Sequence, residues 1–339
     1  MAKQYRFRFI EKLSLRRAIM MLALSTLALP AVRGDDAPRV KFEFNGYATL
    51  GFVHSDEDQA DFLGSLLLER GAGYSRSWSA EVDSRVGAQL SATFNSALSA
   101  VVQVVAEQAA DGEYTPHLEW ANLKYQVSPD TSVRVGRIVL PSFLVSDYRK
   151  VGYANPWVRP PNEVYSLVPI TTSDGIDGSF RWLAGSFSNT IQAYIGQGDL
   201  EIPGGGTAKG RDSLGFAATT EYSDWTARVA YQQTRLYIDT IHTLFDAFRQ
   251  FGPEGIALAE EYDSDGGRFQ FYAAGLQYEP GNWFLMAEWG GSESASVIGA
   301  RSAWYASCGY RFSKFTPFLT YSTVTSPPPH SDPGLTVAA

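Results

Sequence analysis

Four histidines, a single cysteine and a scatter of acidic side chains are the raw material for covalent or metal chemistry in this 339-residue chain. The histidines are His54, His117, His242 and His330. No two are four residues apart with a glutamate between them, as a zinc-hydrolase helix requires, and none accompanies a G-x-S-x-G nucleophile turn. Glu107 and Asp111 precede His117, but nothing ties them into a catalytic set. With Cys308 as the only cysteine, neither an intramolecular disulfide nor a CxxC zinc site can form. Gly204-Gly205-Gly206 followed by Lys209 lacks the spacing and the strand-to-helix setting of a phosphate loop, and reads as an external turn. No enzyme activity, metal or cofactor is expected.

The chemistry that remains is electrostatic. Asp83, Arg85, Glu107, Lys124 and Arg134 fall on the polar side of segments whose alternate residues are apolar. Asp147, Arg149, Lys150, Arg159, Glu163 and Asp174 lie on one long aperiodic stretch, and Arg137 and Arg181 are weaker candidates. Opposite charges facing each other across a narrow aqueous passage set up a transverse field and bias which ions cross it. The stretch carries both signs, so it declares no ion preference.

The elements that must position these charges read as strands. Residues 41–54, 80–94, 98–107, 119–127 and 133–139 show period two, as do 176–182 and later segments near 190–197, 212–222, 225–236, 268–278, 282–290, 301–312 and 315–325. Short turns (Asn95-Ser96, Pro129-Asp130, Gly185–Ser188, Ser223-Asp224, Pro280-Gly281, Ser313-Lys314) alternate with long polar connections at 55–78, 108–116, 141–175, 198–211, 237–267 and 291–300. That rhythm belongs to a transmembrane antiparallel β-barrel, with short turns on one side and long loops on the other. The 141–175 connection is too long to be passive, and its aromatics (Phe143, Tyr148, Tyr153, Trp157, Tyr165) argue against disorder. Within 237–262, Ile238, Ile241, Leu244, Phe245 and Phe248 recur at helical spacing until Gly252-Pro253, which predicts a short helix packed on its own loop. Phe42, Tyr47, Trp120, Tyr125, Trp225, Trp283, Trp289 and Tyr310 fall near strand ends, where an interfacial aromatic girdle would lie.

Residues 1–34 read as a signal peptide. Lys3, Arg6, Arg8, Lys12, Arg16 and Arg17 precede a short apolar core from Ala18 to Leu29, and Val32-Arg33-Gly34 offers a cleavage site, with Ala31 as a rival. The net charge of −8 and the lack of a basic run exclude nucleic acid as a partner. Residues 35–325 form the barrel domain, and 326–339 an irregular tail or the start of an external loop. About thirteen strands are counted. The last candidate, KFTPFLTYSTV, runs into SPPPHSDPGLTVAA, so a truncated reading frame missing about three strands is expected.

The stretch DSRVGAQLSA, then WANLKYQVSPDTSVRVGRIVLPSFLVSDYRKVGYANPWVRPPNEVYSLVPITTSDG, resembles Gram-negative outer-membrane porins with a long third loop. VGRIVLP at 135–141 is its most specific passage; the other hairpins are generic to barrels. The resemblance implies a sixteen-stranded barrel in the outer membrane, a homotrimer in contact with lipid, and a water-filled channel. It implies passive diffusion of small hydrophilic solutes and ions, constricted by the inward-folded third loop. The family pattern ends in an aromatic residue, whereas this sequence ends Val337-Ala338-Ala339. The alternative reading is a substrate-selective channel, or an adhesin acting through its external loops.

Overall fold

The computed structural model describes residues 40–326 apart from 295 and 297. The expected signal peptide, and the expected tail from 327 onward, lie outside these residues. Thirteen strands form one antiparallel sheet in which each strand pairs with its neighbour in the chain. They are β1 (Lys41–Thr49), β2 (Arg85–Thr93), β3 (Leu98–Glu107), β4 (His117–Ser128), β5 (Thr131–Val139), β6 (Thr172–Ala184) and β7 (Phe187–Ile202). After these come β8 (Gly206–Tyr222), β9 (Trp225–Ile238), β10 (Asp265–Tyr278), β11 (Trp283–Ser294), β12 (Arg301–Tyr310) and β13 (Phe318–Thr325). The fold is all-β, and the barrel strands predicted from period two are present.

Alternation divides the two faces of the sheet. In β11, Phe284, Met286 and Glu288 are buried, while Trp283, Leu285 and Trp289 are exposed. The same outward face shows Leu90, Val102, Leu123, Val135, Ile176, Ile195, Val229 and Leu276 to the surroundings. An apolar surface of this extent is incompatible with water and suits lipid. Near the short turns it ends in aromatic pairs: Phe180 with Trp182, Phe187 with Tyr222, Trp225 with Tyr278, and Trp283 with Tyr310, with ring centroids 4.0–5.6 Å apart. Two of the aromatics expected in that girdle lie on the other face. The Tyr47 ring lies where a Gly87 side chain would be, and Trp120 lies under the Arg134 guanidinium.

The sheet must curl. Trp157 Nε1 donates to Ser307 on β12 and to Thr320 on β13, both at 3.0 Å, and Arg159 pairs with Asp83 just before β2. Laid flat, β2 and β13 would be more than about 50 Å apart at the usual strand spacing. Two residues of chain and two side chains bridge only about 20 Å. The two ends of the sheet are therefore drawn round a common interior, and the 140–171 segment occupies it.

One connection differs from expectation. The 198–211 stretch is not a long loop: β7 and β8 continue to a tight turn at Pro203–Gly205. Its glycines and charges hide the pattern, but Leu200 and Ile202 pack on the apolar cluster beneath them. The first long connection, 50–84, folds into two two-stranded ribbons, Val53–His54 with Trp78–Ser79 and Asp61–Phe62 with Ala72–Gly73. Burial raises the Asp61 carboxyl, but hydrogen bonds from the Ser75 hydroxyl and the Ser75 and Gly71 amides outweigh it and hold the group low. Between β9 and β10, two helices form, α1 (Asp239–Phe248) and α2 (Pro253–Tyr262), separated where Gly252 takes φ 81°. Phe245 packs with Leu258 and Ala259 on their shared face, as the helical spacing requires.

Candidate functional site

The 140–171 segment leaves β5, crosses the interior and returns to β6. One side of it is apolar. Phe143, Leu144, Val145, Trp157, Val164, Leu167 and Val168 are buried against inward residues of β8–β12, among them Ala217, Ala230, Phe271, Ala273, Phe284 and Tyr305. These wall positions are small or flat where the segment comes closest. A Cβ on Gly275 would stand 2.8 Å from Leu144 Cγ, and one on Gly290 would stand 3.0 Å from Leu167 Cδ1. Glycine is what lets the segment approach.

Two hydrogen bonds fix this side to one buried carboxylate, and a third comes from the wall. Glu288 on β11 accepts from the Leu144 amide at 2.7 Å, the Tyr165 hydroxyl at 2.6 Å and the Tyr305 hydroxyl at 2.8 Å. It is 3% exposed. Ser142 donates to Gln232 on β9 at 3.0 Å, and Arg228 on β9 donates to the Phe143 carbonyl at 2.5 Å.

The other side is charged and meets the opposite wall. Lys150 Nζ lies 2.6 Å from Glu107 and 2.7 Å from Glu119. Arg149 lies 3.2 Å from Glu119 and also donates to Thr171. Arg159 pairs with Asp83 and covers the Phe62 ring at 4.8 Å. Arg85 reaches Asp83 at 3.5 Å and Glu107 at 3.8 Å. Four cations thus face three carboxylates in one network, and the cations of the segment are matched by acids of the wall. This differs from the field expected between the segment and an arginine-bearing wall, because the opposite charges touch instead of facing across a gap.

Of the residues singled out from the sequence, Asp83, Arg85, Glu107, Arg149, Lys150 and Arg159 come together here. Lys124, Arg134 and Asp147 instead line a separate polar cavity of about 310 Å³. Glu163 sits in a single helical turn, Asn162–Tyr165, and joins neither group. Arg137 pairs across strands with Asp174 at 2.6 Å, on the face that carries Val135 and Ile176, while Arg181 donates to Ser188 at the short-turn end.

Sequence reasoning missed Glu119, and the cause is local. The β3–β4 register slips between Gln103 and Val104, so that Gln103 faces Trp120 while Val104 faces Leu118. Glu119 is the extra residue of a β-bulge, which re-aims a side chain that strict alternation from Lys124 would send outward. Asp177 was also passed over; it accepts from Arg134 at 2.8 and 2.6 Å and from Gln192 at 2.6 Å. Its inward parity was legible, and so was that of Glu288, but not their partners.

Outside the strands, His242 Nδ1 lies 2.8 Å from Asp263, and Arg249 joins the same carboxylate at 2.8 Å. The hydrogen bond to Asp263 raises the His242 imidazole above its ordinary value. Burial raises Asp263, but Arg249 and His242 outweigh it and hold the carboxyl low.

No protein-family model and no curated protein matches the chain. Among solved structures, Salmonella typhi OmpF in complex with daunomycin is similar, with TM-score 0.51 and 13% identity over 86% of this chain and 80% of that one. An anion-selective porin from Comamonas acidovorans aligns with TM-score 0.41 and 11% identity, covering 84% of this chain and 89% of that one. Pseudomonas aeruginosa OpdK with vanillate aligns with TM-score 0.37 and 11% identity over 84% and 83%. The chain has the β-barrel fold of the Gram-negative outer-membrane porins.

Proposed function

We propose that the chain is an outer-membrane channel for passive diffusion of small hydrophilic solutes and ions, narrowed by the 140–171 segment. One observation carries this reading: the segment crosses the interior of the curled sheet, tied to opposite walls through Glu288 and through Glu107 and Glu119. A segment so held narrows a passage without hinging open, and a polar cavity lies beside it. The apolar outward face and its aromatic pairs support a place in lipid, and neighbouring copies in a homotrimer would cover part of that face. Diffusion through such a passage needs no catalytic residue, and we read the chain as a non-enzyme. Purified protein in planar bilayers should produce stepwise, ohmic conductance. Folded protein that inserts and stays electrically silent would refute the proposal.

A further inference from the structure

The charges nearest the segment's middle are joined in one ion-pair network, whereas most of those in the adjoining cavity are not. Lys124, Arg134, Asp147, Glu221 and Arg228 all line this cavity of about 310 Å³. Arg134 is neutralised by Asp177 through two hydrogen bonds. The other four remain. Arg228 donates only to neutral oxygens, Thr219 Oγ1 at 3.0 Å and the Phe143 carbonyl. Among the described residues, Lys124, Asp147 and Glu221 come within ion-pair distance neither of one another nor of Arg228. Two cations and two carboxylates that make no direct ion pair therefore share one polar chamber, where Arg228 and Arg134 act on Asp147 only from a distance, with the hydroxyls and amide of Ser132, Ser179, Thr190 and Gln192 also on its wall.

We infer that this chamber is a binding station for small zwitterionic solutes, amino acids and short peptides, on their way through the channel. The inference rests on the channel reading above. A solute carboxylate finds Lys124 or Arg228, its ammonium finds Asp147 or Glu221, and its amide or hydroxyl groups find the neutral polar wall. A solute of one sign meets both attraction and repulsion there, and an uncharged sugar gains only neutral hydrogen bonds. A solvated ion pair contributes little, and that suits a channel: the solute must leave as readily as it enters.

The test is osmotic swelling of liposomes holding the full-length protein, with glycylglycine compared against arabinose. Glycylglycine should enter about two- to fivefold faster than arabinose, the range that one or two solvated ion pairs support. Asp147→Asn and Glu221→Gln should each lower that ratio, as should Lys124→Gln, with arabinose entry through the same variant as the reference. Arg228→Gln is set aside because it also loosens the Phe143 carbonyl. A wild-type ratio at or below one, or a ratio that all three variants leave unaltered, would overturn the inference. Failure of arabinose itself to enter would instead strike at the channel reading.

Discussion

Glu288→Ala should loosen the interior segment while leaving the sheet intact. The carboxylate accepts three hydrogen bonds in a nearly dry site, and alanine leaves the Leu144 amide and the Tyr165 and Tyr305 hydroxyls without an acceptor. Each orphaned donor costs about 1–3 kcal/mol, and water entering the space recovers part of that. Only the Leu144 and Tyr165 bonds tie the segment to the wall, so a net loss of about 2–4 kcal/mol multiplies the undocked population by about 30 to 10³. The apolar side of the segment, from Phe143 to Val168, still holds it in place most of the time, so mean conductance changes little. Hydrogen exchange reads the effect at one atom: the Leu144 amide, bonded directly to Glu288, should exchange faster by roughly that factor. Amides in β3 and β4 should not change. Tyr165→Phe removes one of the three bonds and should produce a smaller acceleration. If Leu144 keeps its wild-type protection in Glu288→Ala, the anchoring role is wrong.

Three further outcomes follow from the same geometry. Lys150→Met takes the shared cation from Glu107 and Glu119 and leaves Arg85 and Arg149 as their partners, so the cost stays below the roughly 3–5 kcal/mol of a fully orphaned buried charge. It also removes one positive charge from the network, so denaturant unfolding should come earlier and reversal potentials should move toward cations; an unmoved reversal potential would count against that network. Gly275→Ala pushes a Cβ to 2.8 Å from Leu144 and should destabilise by about 1–3 kcal/mol, with noisier single-channel current. The α1–α2 loop should be tightest in mildly acidic solution. His242 is raised, so its contribution is complete below 6.5 and fades as pH climbs through the raised value; Asp263 is lowered, so its contribution is present above 3.8 and fades as pH falls through the lowered one. Asp246 and Asp265 favour the protonated imidazole, and Arg249 sits on the same carboxylate. Amide hydrogen exchange in α1 and α2, corrected for its intrinsic pH dependence, should therefore be slowest between about pH 4 and 6.5, and a corrected profile that stays flat would contradict a role for the His242–Asp263 contact.

Much of the fold was legible because one physical rule, side chains alternating between lipid and interior, repeats on every strand. Arg85 to Thr93 and Leu98 to Glu107 show it plainly, and short turns such as Pro129-Asp130 fix the pairing; the alternation expected from Ala80 stops short at a turn, where Asp83 takes φ 63° and Val82 is buried. The rule breaks where backbone geometry breaks it. The bulge at Glu119 is one residue of slippage, and no composition signals it. Strand length was underestimated at 198–211 because Gly-rich sequence resembles a turn, although the tertiary packing of Leu200 and Ile202 makes it strand. The charged residues of the 140–171 segment were visible as candidates, yet their pairing was not. Lys150 meets Glu107 across more than forty residues, and only the path of the segment through the interior decides which acid each cation finds. Aromatic placement failed for a related reason. Tyr47 and Trp120 sit near strand ends like the girdle residues, but their parity turns them inward, toward Gly87 and Arg134.

The most direct test of an aqueous passage beside the docked segment uses Lys124→Cys in a Cys308→Ser background. Planar-bilayer current is recorded while a membrane-impermeant methanethiosulfonate reagent is added. Stepwise conductance that falls irreversibly on modification is the predicted result. Conductance that the reagent leaves untouched, with labelling of the thiol established separately, would contradict the account.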